Sequence, residues 1–262
     1  MFGEPAPSQG DLHFRLLGMP IRIHPLFWLV AVILGVKSGG VPEILIWVAA
    51  VFVSILIHEL GHALVIKAYG FRPWIVLYGM GGLTCHDPAE NYSSKANTPL
   101  GQISISFAGP LAGFILAVVL LGVLYLAGFQ HRIVFEPPLS LRPYWVDVTD
   151  VTSLADLLNG HVELTRRAEL VNDIFFISIF WGLLNLLPIY PLDGGQIIRE
   201  ILLYVNPRDG IQQSLILSIF TAALVAVFGL MKLHDYYIAI FFAFMAYESF
   251  MALQAYSNAG RR

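Results

Sequence analysis

His58-Glu59-Leu60-Gly61-His62 sets two imidazoles four residues apart, with a carboxylate directly after the first. On a helix, residues four apart share a face, so both rings can grip one cation. Glu59 stands about 100° around from His58, near enough to work on a water that the cation activates. That chemistry is hydrolysis, in which a divalent ion polarises a carbonyl and a carboxylate moves the proton. The setting sharpens the pattern. Residues 44–57 upstream carry no ionisable side chain, and Ala63 to Ile66 downstream are equally apolar. Ionisable groups inside such a span are costly, which makes a functional site the default reading.

Two histidines leave a catalytic metal site incomplete, because three protein ligands are usual. The leading third candidate is Asp193, in Asn185-Leu-Leu-Pro188-Ile-Tyr-Pro191-Leu-Asp193-Gly194-Gly195. The two prolines remove backbone donors and bend the chain, so this segment is not a plain lipid-facing rod. Glu248, Glu200 and Asp173 compete for the role. Glu200 and Asp173 lie nearer span ends, where water solvates them, which leaves Glu248 as the serious rival.

The elements that must position these groups follow from composition. Of 262 residues, 57% are hydrophobic and 13% charged, with a mean hydropathy of +0.70, so the chain is polytopic in a membrane. The single Cys85 excludes an intrachain disulfide framework, and a net charge of -3 argues against a nucleic-acid partner. The fold class expected is all-α, with about six transmembrane helices near 25–38, 44–68, 103–128, 171–198, 211–231 and 235–256. Residues 1–20 read as an N-terminal cytoplasmic tail, 21–257 as a single membrane-embedded domain and 258–262 as a C-terminal tail. The apolar–glycine–apolar run Trp74 to Cys85 reads as a β-hairpin. The acidic loop 129–170 is expected to hold a short amphipathic helix near 152–160. No cleavable signal peptide is expected, since the first 25 residues lack a continuous apolar core. Lysine and arginine placement favours both termini in the cytoplasm.

The pairing of His58-Glu59-x-x-His62 with Asn185-x-x-Pro188-x-x-Pro191-Leu192-Asp193-Gly194 resembles the site-2 protease family of intramembrane zinc metalloproteases. Ser106-Phe-Ala-Gly109-Pro110 is similar to that family's glycine–proline motif, and Ile23-His24-Pro25-Leu-Phe-Trp28 resembles its bacterial sporulation-factor branch. The resemblance implies one zinc per chain on His58, His62 and Asp193, with Glu59 as general base. It implies that Asn185 positions the substrate carbonyl, and an amide donor there could also stabilise the developing oxyanion. An interhelical hydrogen bond is the plainer reading of Asn185. The 74–85 hairpin, with Gly79, Gly81 and Gly82, would be a membrane re-entrant element that meets substrate, although turn geometry alone also explains those glycines. The expected partners are a single-pass or tail-anchored membrane-protein substrate, the lipid bilayer and an unidentified regulator. Cleavage would release a cytoplasmic fragment at a bacterial inner membrane. Neither a PDZ nor a CBS domain is expected. Two other readings stay open: a membrane metal transporter, and an inactive relative that only binds membrane clients.

Overall fold

Seven α-helices and two small sheets make up the computed structural model, which describes residues 4–36, 40–90, 95–126, 133–136, 140–145 and 161–259. Strands β1 (Leu12–Leu16) and β2 (Met19–Ile23) come first, then helices α1 (Pro25–Gly35) and α2 (Val41–Ala68). Strands β3 (Trp74–Tyr78) and β4 (Gly81–Cys85) follow, then α3 (Pro99–Leu126) and the pair β5 (Ile133–Glu136) and β6 (Ser140–Trp145). The chain continues with α4 (His161–Asn185), α5 (Asp193–Val205), α6 (Gly210–Phe228), a π turn over Gly229–Leu233, and α7 (Tyr236–Ala259).

Four of these helical stretches are long and apolar enough to cross a membrane: Val41–Ala68, Pro99–Leu126, Gly210–Lys232 and Tyr236–Asn258. Among the described residues, four such stretches stand where six continuous spans were expected. The expected first span is the 11-residue α1, about 16 Å long and short of a bilayer core. The expected span at 171–198 breaks into α4 and α5, and α5 begins at Asp193. Pro188 and Pro191 lie in that break, where a missing amide and a ring clash stop helical pairing. The helix expected near 152–160 lies outside the described residues.

The fold is mostly helical rather than all-α. The 74–85 hairpin is present, with Tyr78 opposite Gly81 and Leu77 opposite Gly82. It belongs to a larger sheet of order β1-β2-β3-β4, in which β2 and β3 run parallel. Helices α1 and α2 form the crossover that parallel strands require. Residues 12–16, read from sequence as tail, form β1. Leu17 and Gly18, both at positive φ (54° and 80°), make the two-residue turn between β1 and β2. Buried Arg22 fixes the segment before β1, donating to Asp11 Oδ2 at 3.0 Å and Glu4 Oε1 at 2.8 Å. A hydrogen bond from the Ser8 hydroxyl, with Arg22 alongside, holds the Asp11 carboxyl down at about 2.

Helix α2 is the central rod. Its apolar side packs with Met19, Ile21, Ile23, Phe27, Ile75 and Leu77 in the main core. Small residues set how closely its neighbours approach. A side chain at Gly61 of α2 would strike the Ala108 backbone oxygen of α3, and one at Gly113 of α3 would meet Ser178 O of α4 at 2.9 Å. Tight crossings of this kind are how helices associate where lipid supplies no hydrophobic drive.

Candidate metal and catalytic site

His58, Glu59 and His62 fall on the buried middle of α2 because the 3.6-residue period turns them toward the bundle. Their ligand atoms lie within 4.8 Å of one another, a grouping that can hold a metal ion. His58 Nε2 and His62 Nε2 are 3.2 Å apart. Asp193, the first residue of α5, closes on both rings: Oδ2 is 3.1 Å from His58 Nε2 and Oδ1 is 3.4 Å from His62 Nε2. All four side chains are buried.

The protonation logic favours a cation among these atoms. His62 Nδ1 sits 2.7 Å from the Ile105 backbone oxygen of α3, and a carbonyl can only accept. That contact puts the hydrogen on Nδ1 and turns the Nε2 lone pair toward His58 and Asp193. The His62 Nε2 lone pair and the Asp193 carboxylate face each other at 3.4 Å, and they repel unless positive charge lies between them. Imidazole with carboxylate suits zinc and other divalent transition metals. Gly109 of α3 supplies room: a Cβ there would collide with His62 Nε2 and stand 2.7 Å from His58 Nε2. The donor set and the space both fit a metal ion.

Glu59 is held from the other side. The Thr84 hydroxyl of β4 donates to Glu59 Oε2 at 2.7 Å and lies 3.0 Å from Glu59 O. Gly82, on the same strand, faces the carboxylate so closely that any side chain there would collide with Glu59 Oε1. One oxygen is therefore anchored and the other lies against bare backbone. Gly81, at φ +115°, leaves space for the Trp181 ring of α4 at 2.8 Å from where a Cβ would stand. Gly79 meets only ordinary contacts with Leu26 and Val30. It is a turn residue by geometry.

Asn185 ends α4 and is buried, and its amide nitrogen donates to Trp181 O at 2.9 Å. The structure thus shows an intrahelical bond for Asn185 and leaves the oxyanion role to proposal. Glu248 is half-buried on α7 and does not join the grouping of ligand atoms. Glu200 pairs with Arg199 at 3.2 Å, away from the histidines.

Sequence reasoning singled out neither Thr84 nor the serines that hold the α4–α5 break. Tyr190 in that break has its amide bonded to Ser218 Oγ of α6 at 3.0 Å, and its carbonyl accepts from Ser249 Oγ of α7 at 3.0 Å. Gly194 and Gly195 complete the tight turn, since side chains there would meet the Leu186 and Ile189 backbone. A threonine in a strand or a serine in a helix carries no local signal of such a role.

Comparison with known proteins gives a consistent picture. Residues 46–227 match the family model described as Peptidase family M50. The chain is 29% identical over 195 residues to zinc metalloprotease MJ0392 of Methanocaldococcus jannaschii, covering 72% of this chain and 44% of that protein. It is 26% identical over 204 residues to a protein named Rip3 in Mycobacterium tuberculosis, covering 72% and 42%. It therefore spans less than half the length of these curated relatives. The solved site-2 protease from Methanocaldococcus jannaschii superposes with a TM-score of 0.56 at 25% identity, over 91% of this chain and 94% of that one.

Proposed function

Because this chain belongs to Peptidase family M50, we propose that it is an intramembrane zinc endopeptidase that cuts a membrane-protein substrate in or near its transmembrane segment. The observation that carries this reading is the buried meeting of His58, His62 and Asp193 beside Glu59 on an apolar helix. His58, His62 and Asp193 would hold the zinc, which when bound polarises the scissile carbonyl and acidifies a water. Glu59 would serve as general base, taking a proton from the attacking water and handing it to the leaving nitrogen. Thr84 keeps the carboxylate aimed by binding one oxygen, so the other stays available for the proton. Asn185 would turn its amide toward the oxyanion when substrate is present, a donor typically worth about 3 kcal/mol.

Substrate enters as extended chain, because a helix hides its peptide bonds in its own ladder. Strand β4 is an edge of its sheet and carries Thr84 and Gly82 against Glu59. A substrate segment pairing there as an added strand would lie alongside the general base. A proline scan across Gly81–Cys85 tests this, and cleavage unaltered at every position would argue against strand pairing.

The reading is tested by zinc content and cleavage of reporter-tagged single-pass segments, measured on the same detergent-purified variants. Wild type should hold about one zinc per chain. His62→Ala and Asp193→Ala should lose both metal and cleavage, Glu248→Ala should keep both, and Glu59→Gln should keep zinc while losing cleavage. Wild-type cleavage by Glu59→Gln, or no zinc in protein purified with zinc present, would sink the proposal.

A further inference from the structure

A cavity of about 520 Å³ lies at the end of α2 that carries Lys67, about 13 Å of helix rise beyond His58. Its walls include Arg15 and Gly18 of the β1–β2 hairpin, Lys67, Arg72, Trp74 and Glu90. The lining therefore carries three cations and one carboxylate. Glu90 accepts from the Arg72 backbone amide at 3.0 Å, and the Lys67 ammonium donates to Leu17 O at 2.9 Å, bracing the hairpin turn. Among the described residues, neither the Arg15 nor the Arg72 guanidinium forms an ion pair.

Depth narrows what could neutralise them. Lys67 is in the last turn of a helix long enough to cross a membrane, and Trp74 is of the type that settles at the headgroup level. Guanidinium forks match phosphate oxygens in pairs. Apolar surface continues from the cavity: Leu17 at the turn is 59% exposed, and Leu64, one turn before Lys67, is 47% exposed. A free anion has no use for that surface, whereas an acyl chain does. Basic pockets beside transmembrane helices are a known solution for acidic headgroups.

We propose that this cavity binds the phosphate of an acidic phospholipid from the leaflet at that end of α2, with Arg15 and Arg72 as its ligands and Trp74 at its side. The lipid would tie the β1–β2 hairpin to α2. The proposal does not depend on peptidase activity.

Native mass spectrometry of the full chain in mixed micelles tests it, titrating phosphatidylglycerol against phosphatidylcholine. The expected result is one phosphatidylglycerol retained in preference to phosphatidylcholine. Binding should weaken roughly twenty-fivefold in Arg15→Gln/Arg72→Gln, at about fivefold per charge. Arg15→Lys/Arg72→Lys should restore most of it, which separates lost charge from lost fold. Lys67 is left intact because it also supports the hairpin turn. Equal retention of both lipids by wild type, or less than a threefold effect of the double glutamine variant, overturns the proposal. Displacement of phosphatidylglycerol by millimolar inorganic phosphate also overturns it, by making the site one for free phosphate.

Discussion

Two residues without side chains define the walls of the site as firmly as those with them. Gly109 leaves open the volume facing His58 Nε2 and His62 Nε2, and Gly82 leaves open the volume beside Glu59. These positions predict different losses on adding one methyl group. Gly109→Ala should abolish stoichiometric zinc, read by metal analysis, because the methyl occupies the space between α3 and both ligand nitrogens. Gly82→Ala should keep zinc and lose cleavage by about a hundredfold, the usual cost of displacing a catalytic group by an ångström. Wild-type turnover in Gly82→Ala would mean that the Glu59 position is not critical. Thr84→Val removes the bond to Glu59 Oε2 and should lower turnover with zinc intact.

Among the elements, the break between α4 and α5 matters most, because it brings Asp193 into the bundle at the start of a helix. A broken helix exposes backbone groups that lipid cannot satisfy. Here Ser218 of α6 and Ser249 of α7 bond the amide and carbonyl of Tyr190, and both serines are fully buried. Helices α6 and α7 thus support the turn that presents Asp193. Ser218→Ala/Ser249→Ala should weaken zinc binding about ten- to hundredfold in a competitive chelator titration, as outer supports of metal sites do. Unchanged affinity in a folded double variant would mean that α5 holds Asp193 without their help.

For the whole molecule, the chain is a membrane protein whose candidate metal ligands and edge strand β4 meet on the buried part of the central rod α2. Metal removal should lower thermal stability, because buried ligands left facing one another repel. Chelator-treated wild type should melt below the zinc-loaded form, while Asp193→Ala should show no such difference. We propose, from the lysine and arginine bias, that both termini lie in the cytoplasm. A fluorescent-protein fusion at the C-terminus should then glow, and an alkaline phosphatase fusion there should stay inactive; the reverse pattern would invert the topology.

What the sequence by itself determined was local. The His58-Glu59-x-x-His62 spacing, the apolar runs and the glycine turn of the 74–85 hairpin each rest on neighbouring residues, and periodicity and composition make them legible. Resemblance of paired motifs brought Asp193 forward, with Glu248 as its rival. The tertiary structure places Asp193 against a histidine 135 residues earlier in the chain. It also decided that Gly109 is a wall of the site, that Ser218 and Ser249 brace the break, and that residues 12–16 join the sheet. The reason is physical. A contact made across distant elements depends on how helices cross and which atoms meet there, and no local pattern of residue types records it.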